Sequence, residues 1–531
     1  MRSVSNRMLG IIGISYLLIM IYINVMVMIV SPNMDYPCKR EIVHLSIFAV
    51  ALVCVLGVVT VLQSRYVRPI CMKLNEKTAQ KIVTYGCIIF CMLQIYMCFN
   101  YYFLTDWDVD LIYQSATELA NGTFESAQRY GEFCWYYSTY PNNMELLGVF
   151  VACLKLNQYF GALDPENGVM VFIALNCVIM SVTGHLLYQV ITQLFSHRWG
   201  LAGWIIYVLF IGLSPWVVIP YSDPLGFIFP TLELWLFLKL RSSDRKWPYS
   251  ILLGVVSGIG YYIKPQTIIM LLAIGIVVFI HFLTLFTDRN RCKRAILLAV
   301  LCVFSVYLSS FVPKATSSAL GVPLDPARTF GASHFVMMGM NPEKRGVYSQ
   351  EDCDFSHSFG DAASRKQGEI AVIKDRLKQY GVGGYFYLLN QKLLTTYGDG
   401  TFAWGFEGSF WKEIPPLKNS GVSVLLREFY YRDGKHFSAF IAYMQFFWIS
   451  TLLLSCFSYK RRNPDPIFAV QLGVIGLTMF ELLFEARARY LYTFSPLFLL
   501  LAVCGARNIY YMVRHCLCLR AENARELGSS N

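Results

Sequence analysis

Long apolar runs separated by short charged loops dominate the chain. A helix needs roughly 20 apolar residues to cross a hydrocarbon core about 30 Å thick. Segments that approach or meet this length run at about 8–30, 44–63, 82–104, 168–195, 199–219, 222–240, 248–263, 267–286, 295–313, 438–457, 466–484 and 490–510. The pattern predicts an all-α polytopic membrane protein with about twelve transmembrane helices. The first run is too long for the apolar part of a signal peptide and no small-residue cleavage site follows it, so it reads as an uncleaved span. A further apolar segment, 142–157, is short and carries Lys155.

Charge then sets the sidedness. Loop 64–81 carries Arg65, Arg68, Lys73, Lys77 and Lys81, which the positive-inside bias assigns to the cytoplasm. The next loop, 105–141, sets Asp106, Asp108, Asp110, Glu118, Glu125 and Glu132 against Arg129, and parity puts it outside. If 142–157 crossed the membrane, the basic stretches 239–246, 289–294 and 460–462 would all fall outside as well. A juxtamembrane helix at 142–157 keeps them inside and leaves both termini cytoplasmic.

This topology divides the chain into five parts. Residues 1–81 are two N-terminal spans with a basic cytoplasmic loop. Residues 82–313 are a transmembrane module with the outer loop 105–167. Residues 314–437 are an extracytoplasmic region of mixed charge, 438–510 the C-terminal spans, and 511–531 a cytoplasmic tail. Within 314–437, the spacing of Ile370, Ile373 and Leu377 predicts a soluble helix over 364–380, ended by the Gly-Val-Gly-Gly of 381–384.

Composition agrees with a membrane solvent. The chain is 56% hydrophobic and 15% charged, against about 25% charged in soluble domains. The net charge of +11 lies in loops beside the membrane and does not point to nucleic acid. Most of the sixteen cysteines fall inside apolar runs, as small buried side chains do. Cys38, Cys134 and Cys353 are predicted outside; no disulfide is expected, and a Cys134–Cys353 bond would be the least surprising exception.

Candidate chemistry gathers at the outer helix ends. The sequence Thr105-Asp106-Trp107-Asp108-Val109-Asp110 follows a span directly, and crowded carboxylates there suit general-base work or a metal. A solvated acidic cap is the alternative. Tyr140, Asn142 and Asn143 lie at the start of the juxtamembrane helix, where the amides bind hydroxyls or cap the helix. Tyr221 and Asp223 occupy a turn on the same side. Lys264 ends another span, where snorkelling alone would explain it. Glu481, Glu485, Arg487 and Arg489 precede the last span; i,i+4 salt bridges are one reading, and arginines aimed at a lipid phosphate are the other.

Taken in order, these motifs resemble the GT-C superfamily of polytopic glycosyltransferases, near the protein-mannosyltransferase-like (family 39-like) group of Gram-positive bacteria. Asp106-Trp107-Asp108, Tyr140-Pro141-Asn142-Asn143, Tyr221-Ser222-Asp223-Pro224 and Lys264-Pro265 carry the resemblance. So do His334 with Met337-Met338-Gly339-Met340-Asn341, Asp399-Gly400-Thr401-Phe402 and Glu485-Ala486-Arg487-Ala488-Arg489-Tyr490. The resemblance implies inverting transfer of a sugar from a polyprenyl-phosphate donor in the membrane lipid to an extracytoplasmic acceptor. It makes Asp108 or Asp106 the base. Arg487, Arg489 and Lys264 become phosphate ligands, and Tyr140, Asn142, Asn143, Tyr221, Asp223, His334 and Asn341 substrate contacts. Some members use a divalent metal, Mg or Mn, and others none. A transporter or flippase of lipid-linked sugars, or a lipid-diphosphate-dependent polymerase or ligase, are the competing classes. Acids gathered at the outer edge rather than the midplane favour the enzyme.

Overall fold

The computed structural model describes residues 2–29, 50, 53, 57, 74–161, 168–283, 288–404, 411–418 and 420–529. The expected span 44–63, most of the basic loop before residue 74, and Cys38 lie outside these residues. The described chain is mainly helical, with one short antiparallel strand pair. Eight of its helices are long and apolar enough to cross a membrane.

Those eight are α1 (Arg2–Ile29), α2 (Glu76–Tyr101), α6 (Val169–Leu194), α11 (Ile268–Phe282, extended by a 3₁₀ turn), α12 (Arg289–Ser309), α18 (Phe437–Cys456), α19 (Asp465–Leu483) and α21 (Ser495–Ser529). Three more expected spans are shorter or broken. Residues 199–219 form α7 (His197–Leu209) and two 3₁₀ turns, the second opened by Pro215. Residues 222–240 form α8 (Ser222–Gly226) and α9 (Phe229–Ser242), with Pro230 in the first turn of α9. Residues 248–263 form α10 (Trp247–Ile263), of 17 residues. Proline accounts for two of these helix starts: it lacks the amide an uninterrupted helix needs.

Small residues set how closely the helices pack. α10 carries Gly254-Val255-Val256-Ser257-Gly258, a G-x-x-x-G spacing. A side chain at Gly254 would meet the Cys302 carbonyl oxygen at 2.2 Å, and one at Gly258 would meet Ser309 Cβ at 2.4 Å. The backbones of α10 and α12 therefore approach as only glycine allows.

At one end of the bundle lie α3 (Trp107–Asn121), α4 (Tyr130–Thr139) and α5 (Asn143–Phe160). α5 covers the 142–157 segment, is not among the eight long apolar helices, and packs lengthwise on α3. α13 (Val312–Leu320), α14 (Ala332–Gly339), α15 (Gln350–His357) and α16 (Ala362–Tyr397) follow, then α17 (Ser420–Tyr430). Strand β1 (Leu104–Thr105) pairs antiparallel with β2 (Trp411–Glu413), which ties residues 411–413 to the start of α3.

The helix expected over 364–380 does not end at the glycines. Gly381 adopts φ 55, ψ −170, a break rather than a stop, and α16 resumes to Tyr397. The turn that follows is closed by Asp399, whose carboxylate accepts from the Thr401 and Ala403 amides at 2.7 and 2.8 Å. This turn lies inside the bundle: the Gly400 amide donates to Gln445 Oε1 of α18 at 2.7 Å. Part of 314–437 thus belongs to the helical core, where Phe402, Trp404, Trp448 and Tyr492 are buried.

Candidate functional site

The break between α2 and α3 places the acidic motif. Tyr102 ends α2 in an extended conformation, β1 follows, and Asp106 stands at the N-cap of α3 without a side-chain capping bond. Trp107 has φ 48, a left-handed geometry that costs a residue with a Cβ about 1–2 kcal/mol. The strained step turns Asp106 and Asp108 to different surroundings. Asp106 is exposed and Asp108 is partly covered. Asp110 is occupied structurally: it accepts from Gln114 and from Lys412 Nζ at 2.9 Å, and Arg129 lies at 3.6 Å.

Asp108 meets residues from two distant segments. The Tyr221 hydroxyl, just before α8, donates to Asp108 Oδ2 at 2.9 Å. The guanidinium of Arg489, first residue of α20 (Arg489–Tyr492), stands over the rings of Trp107, Tyr221 and Tyr490 at 5.3, 5.8 and 5.5 Å. Trp107 and Tyr221 meet edge to face at 5.8 Å. Burial pushes the Asp108 carboxyl above its ordinary range, against the opposing pull of Tyr221, Arg489 and Tyr136.

Behind this face lies a buried ion pair. Lys264 Nζ sits 2.6 Å from Asp223 Oδ1, both side chains almost fully enclosed. The ammonium also rests 4.7 Å from the Tyr490 ring centre. The pair needs close backbone approach, since a Cβ at Gly226 would meet Lys264 Cβ at 2.9 Å. Lys264 is therefore partnered by Asp223 and is not a lone snorkelling cation.

The Glu481–Arg489 segment is not the continuous helix that i,i+4 pairing requires. α19 ends at Leu483, and Phe484 is extended. Glu485 turns to Arg487, whose Nε donates to Oε1 at 2.9 Å, while the Tyr490 hydroxyl donates to Oε2 at 3.0 Å. Glu481 Oε2 accepts from the Arg487 amide at 3.2 Å. Burial raises the Glu485 carboxyl, but Arg487 and Arg489 outweigh it and the net shift is downward. An anionic Glu485 bonds Arg487 and attracts Arg489.

The remaining candidates divide. Asn143 donates to the Tyr136 hydroxyl at 2.6 Å, and Asn142 to Asn143 Oδ1 at 3.2 Å, so neither side chain caps α5. Tyr140 packs edge to face on Phe330 at 5.6 Å. His334 is fully enclosed, stacked on Phe330 at 3.9 Å, with Nδ1 2.7 Å from Ser356 Oγ. Asn341 caps a turn through the Glu343 and Lys344 amides and donates to Asp352 at 2.9 Å. Asp352 in turn is paired with Arg376 at 2.6 Å. His334 and Asn341 thus organise the region between α14 and α16. A cavity of about 420 Å³ beside Asn341 is lined by Glu351, Asp375 and Arg376 among others, and none of its lining residues belongs to the Asp108 cluster.

Sequence reading missed Tyr136 and did not give Trp107 and Tyr490 roles of their own, although Trp107 and Tyr490 sit inside motifs it quoted. The aromatic run Trp135-Tyr136-Tyr137 was the available signal for Tyr136. Cys134 and Cys353 are free thiols. Among the described residues no three His, Cys, Asp or Glu side chains converge as a metal site.

No curated protein sequence matches the chain. Among solved structures, the archaeal oligosaccharyltransferase AglB from Archaeoglobus fulgidus, in complex with an inhibitory peptide and a dolichol-phosphate, is similar at 14% identity and a TM-score of 0.43. The match covers 84% of this chain and 52% of that one, so it spans about half the length of AglB. A family model described as conserved hypothetical integral membrane protein matches residues 2–509, and the chain belongs to that family of integral membrane proteins.

Proposed function

We propose that the protein is an inverting membrane glycosyltransferase that moves a sugar from a polyprenyl-phosphate donor to an extracytoplasmic acceptor hydroxyl. The observation that carries this is the meeting of Asp108, Tyr221 and Arg489: a carboxylate with raised proton affinity next to a caged arginine. A general base works best when its pKa lies near the operating pH, and burial moves Asp108 in that direction. Transfer is one displacement. The acceptor oxygen bonds to the anomeric carbon and its proton passes to Asp108. The anomeric C–O bond to phosphate breaks with its electron pair on the phosphate oxygen. The departing lipid phosphate is already anionic and needs cations rather than an acid. Arg489 and Arg487 supply them, with Arg487 bonded to Glu485. Lys264 supports the arrangement from behind through Asp223 and Tyr490. The assignment follows the protein-mannosyltransferase-like pattern of the sequence.

One observation favours a carrier instead. Glu233 of α9 is fully buried and has no ion-pair partner among the described residues, and an ionisable group enclosed in a membrane bundle is a frequent mark of transport. One experiment separates the two. Purified protein in proteoliposomes is given a polyprenyl-phosphate sugar and extracted surface glycan or protein acceptors. Product that appears with wild type and is lost in Asp108→Asn supports the transferase. Movement of the lipid-linked sugar across the bilayer without product, unaffected by that change, supports the carrier.

A further inference from the structure

The second half of α16, after the break at Gly381, carries a feature that catalysis does not use. Val382, Phe386 and Tyr387 are 80%, 62% and 64% exposed. Val382 and Phe386 are four residues apart and share a helix face, with Tyr387 beside it. Apolar exposure of this size and contiguity marks an interaction surface.

Contacts further along the same helix give its depth. The Tyr22 hydroxyl of α1 donates to Asn390 Oδ1. Tyr22 lies seven residues before the end of α1 at Ile29, which is about 10 Å along the helix axis. Tyr397 ends α16 with its carbonyl bonded by Trp448 Nε1 at 2.8 Å. Trp448 lies eleven residues into α18 from Phe437, or about 16 Å. Both α1 and α18 are long, apolar helices of membrane-spanning length. From Asn390 to Tyr397 the chain therefore runs inside the bundle, and Phe386 and Tyr387 lie about one turn nearer its end.

The burial pattern fits that descent. Leu388, Lys392, Leu393 and Leu394 are buried on the inner side, and the outward surface is continuous with exposed Leu18, Tyr22 and Val25 of α1. Lys392 reaches back along the helix to donate to the carbonyls of Gly339 and Phe484, at 2.9 and 2.5 Å. The ammonium is fully enclosed and is satisfied by carbonyls rather than by water, so this part of the helix lies within the bundle. Phe386 and Tyr387, six and five residues before Lys392, lie about 8–9 Å above it, at the depth where aromatic belts form.

We infer that α16 is a re-entrant element, and that Val382, Phe386 and Tyr387 are a foot seated in lipid at the edge of the leaflet, with phospholipid as the partner. This surface continues the lipid-facing side of α1. Irregular backbone beyond it, the Asp399 turn, is tolerated at that depth because it is enclosed by protein.

The test uses the full chain in lipid nanodiscs with 4-trifluoromethyl-phenylalanine at position 386, and separately at 387. Position 18 serves as the lipid reference and position 366, exposed on the first half of α16, as the water reference. Fluorine relaxation is measured with dissolved oxygen, which concentrates in the bilayer, and with a water-soluble gadolinium chelate. The inference expects 386 and 387, nearer the leaflet edge than position 18, to show clearly more oxygen relaxation and less gadolinium relaxation than position 366. Relaxation by gadolinium to the degree seen at 366 overturns it. Protection from both reagents, as under a covering protein surface, overturns it equally.

Discussion

The Tyr221 hydroxyl donates to Asp108 Oδ2 across 2.9 Å and joins residues 113 positions apart in sequence. The bond favours the charged form of a carboxyl that burial drives toward the neutral one. Tyr221→Phe removes this donor and keeps the ring that Trp107 and Arg489 contact. The Asp108 carboxyl should then bind its proton still more tightly, so the acid limb of the pH–rate profile moves to higher pH. A hydrogen bond to a charged group is worth about 1.5–3 kcal/mol, so activity near neutrality should fall on the order of tenfold or more. An unshifted acid limb would remove Tyr221 from the control of Asp108.

Asp108→Asn should reduce transfer by about 100- to 10,000-fold, the usual worth of a general base. Its effect on stability has the opposite sign. Because the folded carboxyl holds its proton more tightly than the unfolded one, its contribution to stability falls as pH rises from the unfolded value toward the raised folded value. Above that window the buried charge remains a burden, and Asn lacks it. Thermal unfolding in detergent at pH 7.5 should show Asp108→Asn as stable as wild type or more so. Asp106→Asn, at an exposed position, should leave both readouts near wild type.

The apolar runs made the helical class and most span positions legible, since hydrophobicity over 20 residues is a summed and therefore robust signal. Span ends were harder. Pro215 and Pro230 broke apparent spans into short pieces, and the length of an apolar run does not show where a helix is interrupted. Gly381 misled in the other direction: a glycine that reads as a stop is a kink, because helix beyond it is secured by Trp448 and Lys392 contacts with distant residues. In the candidate site, the Asp108, Tyr221 and Arg489 motifs were visible, but not their pairing. Glu485 and Arg489 have helical spacing on paper. The extended Phe484 abolishes it and passes the bond to Arg487.

The Lys264–Asp223 pair should behave as a structural unit. Removing one member of a buried pair strands the other charge and costs about 3–5 kcal/mol, whereas replacing both with apolar groups is often close to neutral. Lys264→Met and Asp223→Leu should each lower the unfolding temperature sharply, and the double variant should recover most of the loss. Failure of the double variant to recover stability, together with weakened use of the lipid donor by Lys264→Met at tolerated temperatures, would reassign Lys264 to direct phosphate contact.

His334 gives a pH signature outside the spans. Burial against Phe330 lowers its pKa to about 4, and Ser356 holds Nδ1 at 2.7 Å. Asp352 opposes that shift, while the charges of His357 and Arg365 add to it; Glu369 Oε1 stands 3.9 Å away. The folded imidazole is neutral where the unfolded one, with a pKa near 6.5, takes up a proton. Stability attached to this residue is thus fully present above about pH 6.5 and is lost as pH falls from there toward 4. His334→Asn cannot take up that proton, and should flatten the acid side of the stability–pH curve while lowering stability at pH 7.5 through lost packing on Phe330. Unfolding temperatures of both proteins across pH 4 to 8 provide the check. Parallel curves throughout would mean that His334 takes up its proton equally in the folded and unfolded states, and would remove it as a source of acid sensitivity.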